Sequence, residues 1–208
     1  MTYNVNGNAS YSARNEFKIQ FGPINQFTVS STTEADHSTY ADMIGTDVDT
    51  PEPRKVRTLR LRERASFSWQ IGRQNLKLFA DFTSRRTTTP DPAFRDINAR
   101  HYIAGFTGQF KLPAGFGIGT DFTMYCRDGY GMSQIDDTNL IWNARVTWTP
   151  PRAKAWTIMA DGFDMLHQLK TINYAVTASG RSVSYTNALP RYFMLSVQYR
   201  FNRQPKKR

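Results

Sequence analysis

Between residues 191 and 201 the chain alternates with a period of two. Arg191, Phe193, Leu195, Val197, Tyr199 and Phe201 fall on one side, with Tyr192, Met194, Ser196, Gln198 and Arg200 on the other. That period belongs to an extended strand, whose successive side chains point to opposite faces, and it argues against a helix here. The stretch also has the length, about 9–11 residues, of a strand that crosses a bilayer at a tilt. An apolar face with aromatics, set against a polar face, suits a strand between lipid and a wet interior. One such strand would equally suit the edge of a soluble sandwich, so recurrence decides.

The pattern recurs along the chain. Tyr3, Val5, Gly7, Ala9 and Tyr11 alternate with asparagines and serines, and residues 13–16 read as a tight turn. Phe17, Ile19, Phe21, Phe27 and Val29 keep one parity, with an interruption at Pro23. The polar stretch 32–53 reads as a long loop. Residues 55–71 form the next strand, with Leu59, Leu61, Ala65, Phe67, Trp69 and Ile71 on one face and Arg60, Arg62, Arg64, Ser66, Ser68 and Gln70 on the other. Further strands follow over 76–82, 101–112, 116–125, 140–148 and 156–163, and a polar loop precedes the final strand.

Short connections fall near residues 14, 73, 114 and 151, and long ones near 42, 91, 132 and 179. Outer-membrane barrels sort their connections this way, with tight turns at one end and long loops at the other. Sandwiches and lipocalin-type barrels have no reason to do so. The expected fold is therefore all-β: an antiparallel transmembrane β-barrel segment of about nine strands over residues 1–201, followed by a basic tail, 202–208. Single-chain bacterial barrels have even strand numbers, so an odd count points to the C-terminal section of a larger barrel, a truncated fragment.

Composition narrows the alternatives. No apolar run approaches the ~18 residues of a membrane helix. A mean hydropathy of −0.56 still allows a barrel, in which every second residue faces water. The 14 Phe, 10 Tyr and 4 Trp argue against disorder. A formal charge of +10 favours phosphate-bearing partners, nucleic acid or anionic lipid. Cys126 is the single cysteine, which excludes an internal disulfide. Met1 and the residues after it lack the basic and apolar regions of a secretory signal, so an outer-membrane protein would have lost its front end.

Two segments carry a family resemblance. Asp164-Met-Leu-His-Gln168 and the closing strand Arg191-Tyr-Phe-Met-Leu-Ser-Val-Gln-Tyr-Arg-Phe201 resemble the C-terminus of the outer-membrane β-barrel family of Bacteroides-like bacteria, which is similar to the barrels of TonB-dependent receptors. The resemblance implies a barrel of about 22 strands when complete, with an N-terminal plug. It implies location in the cell outer membrane, contact with outer-membrane lipid, and partnership with the remaining N-terminal barrel strands and plug. An extracellular ligand is implied but not identified. Tyr199 and Phe201 resemble the aromatic signal read by the barrel-assembly machinery, although Ser196 stands where a glycine is usual. No plug or energy-coupling segment has a counterpart here.

The function expected is barrel wall of a receptor or transporter-like protein, without chemistry of its own. His37, His101 and His167 lack partners at ligand spacing, and no phosphate loop or nucleophile elbow occurs, so no catalytic, cofactor or metal site is expected. Arg60, Arg62 and Arg64 form a basic ladder on the presumed lumenal face. It would attract anions or pair with acids such as Asp81 and Asp121. Glu63 falls on the lipid-facing parity and is tolerable if it sits at the outer interface, with the lipid band beginning near Ala65. Asp36, Asp42, Asp47, Asp49 and Glu52 suggest an acidic solvated loop. Trp69, Trp142, Trp148, Trp156, Tyr11 and Tyr199 suit an aromatic girdle near strand ends. The alternative is a soluble basic all-β domain that binds nucleic acid, with 203–208 as a contact arm; against it, the aromatics lie opposite the charges, so no nucleic acid is expected.

Overall fold

The computed structural model describes residues 8–44, 52–90, 96–132, 135–170, 172–176, 181–187 and 189–201. Backbone pairing organises most of them into one antiparallel sheet of nine strands. In chain order these are β1 (Ala9–Phe21), β2 (Phe27–Ile44), β3 (Glu52–Ile71), β4 (Gln74–Thr88), β5 (Ile97–Lys111), β6 (Phe116–Asp128), β7 (Thr138–Trp148) and β8 (Trp156–Phe163). A separate hairpin of β9 (Ile172–Val176) and β10 (Arg181–Tyr185) follows, and β11 (Tyr192–Tyr199) completes the sheet beside β8. The all-β antiparallel expectation therefore holds. The sheet is open, with β1 and β11 as its edges.

The first hairpin differs from the sequence reading. Residues 13–16 are not a turn but the middle of β1, and the chain reverses at 22–26 instead. Backbone conformation explains the choice. Gly22 takes φ 97° and Asn25 φ 51°, left-handed values that glycine and asparagine accept most easily. Pro23 contributes a fixed φ, and Asn25 N–H donates to the Gly22 carbonyl at 3.2 Å. Residues 13–16 contain neither glycine nor proline, and Arg14 lies opposite Glu34 across the ladder.

The expected loop at 32–53 is likewise mostly strand. β2 and β3 pair without a break from Phe27↔Trp69 to Ile44↔Glu52. Alternation is invisible there because Ser31, Thr33, Ala35, His37 and Thr39 occupy the face that carries large apolar groups elsewhere. Such hydroxyl-rich, β-branched stretches suit a strand through their backbone preferences. The polar stretch before β11 also contains the β9–β10 hairpin, which the sequence reading took as loop. Residues 3–7 of the expected first strand, Asp47 and Asp49, the side chains of Asp42 and Glu52, and the basic tail 202–208 lie outside the described residues.

Connections sort by end. Residues 22–26, 72–73, 112–115 and 149–155 join strands at one end; 45–51, 89–96, 129–137 and 164–191 join them at the other. Since neighbours alternate in direction, β1 and β11 run the same way. At the third short connection, the 3-10 turn Pro113–Gly115 places Gly115 at φ 81°, with its carbonyl accepting from Thr149 N–H at 2.9 Å.

The corrected hairpin can be tested by denaturant unfolding. Gly22→Ala is expected to lose about 1–2 kcal/mol, the left-handed penalty. Ala13→Gly is expected to lose about 0.5–1 kcal/mol, as in a strand interior; no loss at Ala13 would favour a turn there.

Candidate functional site

The two faces of the sheet differ in chemistry, and the register fixes which residues share each. On one face Phe17, Ile19, Val29, Phe67, Leu78, Phe106, Phe122, Val146, Ile158, Leu195 and Val197 continue from strand to strand. Among the described residues no second layer covers them. Phe17 is 54% exposed, Leu61 48%, Val146 45% and Leu195 74%, while the buried hydrophobic residues among those described are Val56, Ala99 and Ile135. The accessible surface of 15244 Å² compares with about 9,900 Å² for a compact globular monomer of this mass.

An aromatic row follows the short-connection end of this face. Phe21, Phe27, Trp69, Phe110, Phe116, Trp148, Trp156 and Tyr199 close every strand except β4 there. Many touch: Phe21–Phe27 centroids are 5.3 Å apart, Phe116–Trp148 5.9 Å and Trp156–Tyr199 4.7 Å. The row crosses the hydrogen-bond register at a slant. From Trp69 the register leads through Leu76, Gly108 and Thr120 to Ala144 and Gly162, yet the row on β7 and β8 lies nearer the turn, at Trp148 and Trp156. A level line across tilted strands has this form. Of the expected girdle residues, Trp142 instead sits mid-strand and Tyr11 lies toward the opposite end of β1.

Glu63 also belongs to the apolar face. Leu61 and Leu59 continue that face beyond it, so the apolar band does not begin at Ala65 as the sequence reading required. Its carboxylate accepts hydrogen bonds from Ser31 and Thr33, each 2.5 Å away on β2. Two hydroxyl donors offset part of the desolvation a charge would suffer on such a face.

On the other face charges interlock. Arg60 donates to Asp36 at 2.7 and 2.9 Å. Arg62 Nε donates to both Asp81 oxygens, at 3.1 and 3.0 Å, and Arg64 donates to Glu34 at 2.5 Å. Arg14 approaches Glu34 at 3.9 Å. The Arg62–Asp81 and Arg64–Glu34 bonds run diagonally, because Arg62 stands opposite Glu34 and Arg64 opposite Asp81, whereas Arg60 stands directly opposite Asp36. Glu34 of β2 therefore serves Arg14 of β1 and Arg64 of β3 and ties three strands together, while Asp81 of β4 serves Arg62 and Arg64 of β3. Asp81 takes the expected pairing role; Asp121 instead accepts from Asn143 at 2.8 Å. Arg145 pairs with buried Asp161 beside a cavity of about 380 Å³ lined by Asn75, Gln109, Asp121 and Asn143.

The segment 164–168 has a mechanical role. Asp164, 2% exposed and at φ 44°, accepts from the N–H groups of Gln168 and Leu169 at 3.0 and 2.9 Å. Its own N–H donates to Asn143 Oδ1 at 2.8 Å, and Gln168 Oε1 accepts from Leu140 N–H at 2.9 Å. The turn thus clasps β7 as the chain leaves β8. Tyr199 ends β11 against Trp156, and Phe201, 87% exposed, packs edge-on at 4.6 Å from Tyr199. Of the histidines, His37 lies on the apolar face, His101 on the polar face and His167 in the clasp turn.

Compared with protein-family models, curated proteins and solved structures, the chain matches none.

Removing a shared acid is expected to cost more than removing an exposed one. Asp81→Ala strands Arg62 and leaves Arg64 with Glu34 alone, and should lose about 1–3 kcal/mol in chemical unfolding. Asp36→Ala, which frees one more exposed arginine, should lose about 0–1 kcal/mol and be masked by added salt.

Proposed function

We propose that this chain is a section of the wall of an outer-membrane β-barrel of the receptor or transporter-like kind, with lipid against its apolar face and water against its polar one. The observation that carries the reading is the uncovered apolar face bounded at one end by the aromatic row. Burying a single large apolar side chain is worth about 1.5–3 kcal/mol, so a face of this extent demands an apolar medium. A covering protein layer would accept aromatics anywhere; a slanted row at one end is what a lipid–water interface selects.

Orientation follows from the connections. The short-turn, aromatic end would face the periplasm, and the long loops would meet any extracellular ligand. Tyr199 and Phe201, at that periplasmic end, would present the signal for barrel assembly. Because β1 and β11 run the same way, joining them directly would pair them parallel. A second copy related by rotation about the barrel axis would also bring β11 against β1 in parallel. Antiparallel closure instead takes an odd number of additional strands, the role assigned to the N-terminal barrel strands that accompany a plug.

Circular dichroism in buffer and in micelles, with gels of boiled and unboiled samples, tests the reading. Strand signal and a heat-shifted band only in micelles are the expected result. A soluble β domain melting cooperatively in buffer would overturn it and favour nucleic-acid binding by a basic domain. Depth-dependent fluorescence quenching adds a second readout: single-tryptophan variants retaining Trp148 or Trp156 should respond to shallow lipid quenchers, and one retaining Trp142 to deep ones.

A further inference from the structure

On the polar face the central arginines have acids: Arg14 and Arg64 share Glu34, Arg60 has Asp36, Arg62 has Asp81 and Arg145 has Asp161. Toward the long-connection end this pattern stops. Arg85 of β4 and Arg127 of β6 are half-buried, and neither guanidinium has an ion pair or hydrogen bond with a described residue. The two flank His101 of β5. Arg127 lies directly opposite His101 in register, and Arg85 lies diagonally to it, opposite Ala99. His101 Nε2 is 2.9 Å from the Tyr130 hydroxyl, with the rings 5.8 Å apart.

Among the described residues the neighbouring acids are committed elsewhere. The Asp136 carboxylate accepts the backbone N–H groups of Tyr130, Gly131 and Met132 at 2.9, 2.7 and 3.2 Å. Asp137 pairs with Lys170. Asp96 faces Arg86 at 3.8 Å, and Asp128 faces Arg100 at 4.0 Å on the opposite face. Two half-buried cations are thus left beside two neutral hydrogen-bonding groups, an arrangement that is costly until an anion joins it.

We propose that Arg85, Arg127, His101 and Tyr130 form a binding site for a dianionic phosphate group carried by a water-borne ligand. Two guanidiniums supply two charges, and a tetrahedral oxyanion has acceptors enough for both, together with the one N–H or O–H that the hydrogen-bonded His101–Tyr130 pair leaves to donate. A single carboxylate would leave one arginine uncompensated. Burial pushes the Tyr130 phenol above its ordinary value, outweighing the opposite pull of Arg85 and Arg127, so it remains a donor at neutral pH. Placement on the polar face selects a dissolved phosphate over a lipid headgroup, which would meet the apolar face. The four residues meet whichever medium covers that other face; only the choice of a dissolved ligand over a lipid rests on the proposed membrane reading.

Titration calorimetry of the full chain in micelles, with inorganic phosphate as the probe at low salt, tests it. One saturable phosphate per chain is expected, displaced by sulfate and not by chloride. Arg85→Gln and Arg127→Gln should each weaken binding about tenfold or more, the scale of a charge-assisted hydrogen bond. Tyr130→Phe should lose less, and Arg100→Gln on the opposite face should lose nothing; circular dichroism verifies that each variant is folded. No saturable binding, or affinity unchanged in both Arg85→Gln and Arg127→Gln, overturns the site. Displacement of phosphate by phosphatidate added to the micelles overturns the assignment to a water-borne ligand, and its failure to displace supports it.

Discussion

Everything in this fold hangs on an unbroken hydrogen-bond register. Most sheets share the task of cohesion with a second layer packed against them. Among the described residues one layer stands alone, and the buried hydrophobic ones are few and confined to the long-connection end. Cohesion comes from ladders such as the one that runs from Phe27↔Trp69 to Ile44↔Glu52, longer than strands of ordinary domains. A slip of one residue in any ladder would exchange the two faces and destroy both chemistries at once.

The charges of the polar face serve the same register. Glu34 and Asp81 each hold two arginines from different heights on the sheet, so the diagonal bonds resist sliding in a way that directly opposed pairs would not. The basic ladder of Arg60, Arg62 and Arg64 is therefore largely neutralised in place. What attracts anions is the pair that escaped this arrangement, Arg85 and Arg127, where the nearby acids among the described residues are occupied by backbone or by other cations.

Much of this was legible from alternation. β3, β5, β6, β7, β8 and β11 announce themselves because large apolar residues mark one parity, and the clustering of Arg60, Arg62 and Arg64 on a shared face follows from the same count. The first hairpin was less legible. Pro23 marked the interruption, but Ala13–Glu16 drew the turn away from it, since Ser31, Thr33 and Ala35 gave no apolar beat to extend β2. The candidate phosphate site left almost no trace in sequence. Arg85, His101, Arg127 and Tyr130 are spread over four segments, and only the register of β4, β5 and β6 brings them to one corner. The clasp of Asp164 and Gln168 was visible as a motif, while its mechanics needed Asn143 and Leu140 from another strand.

The alternation of short and long connections carries an evolutionary consequence. Deleting or adding one strand would reverse the direction of every strand after it. The long loops would then emerge at the aromatic end, and Tyr199 would move to the other side. Deleting or duplicating a hairpin leaves all directions intact. Lineages of this sheet are thus free to drift in size only by pairs of strands, and the hairpin is its unit of inheritance.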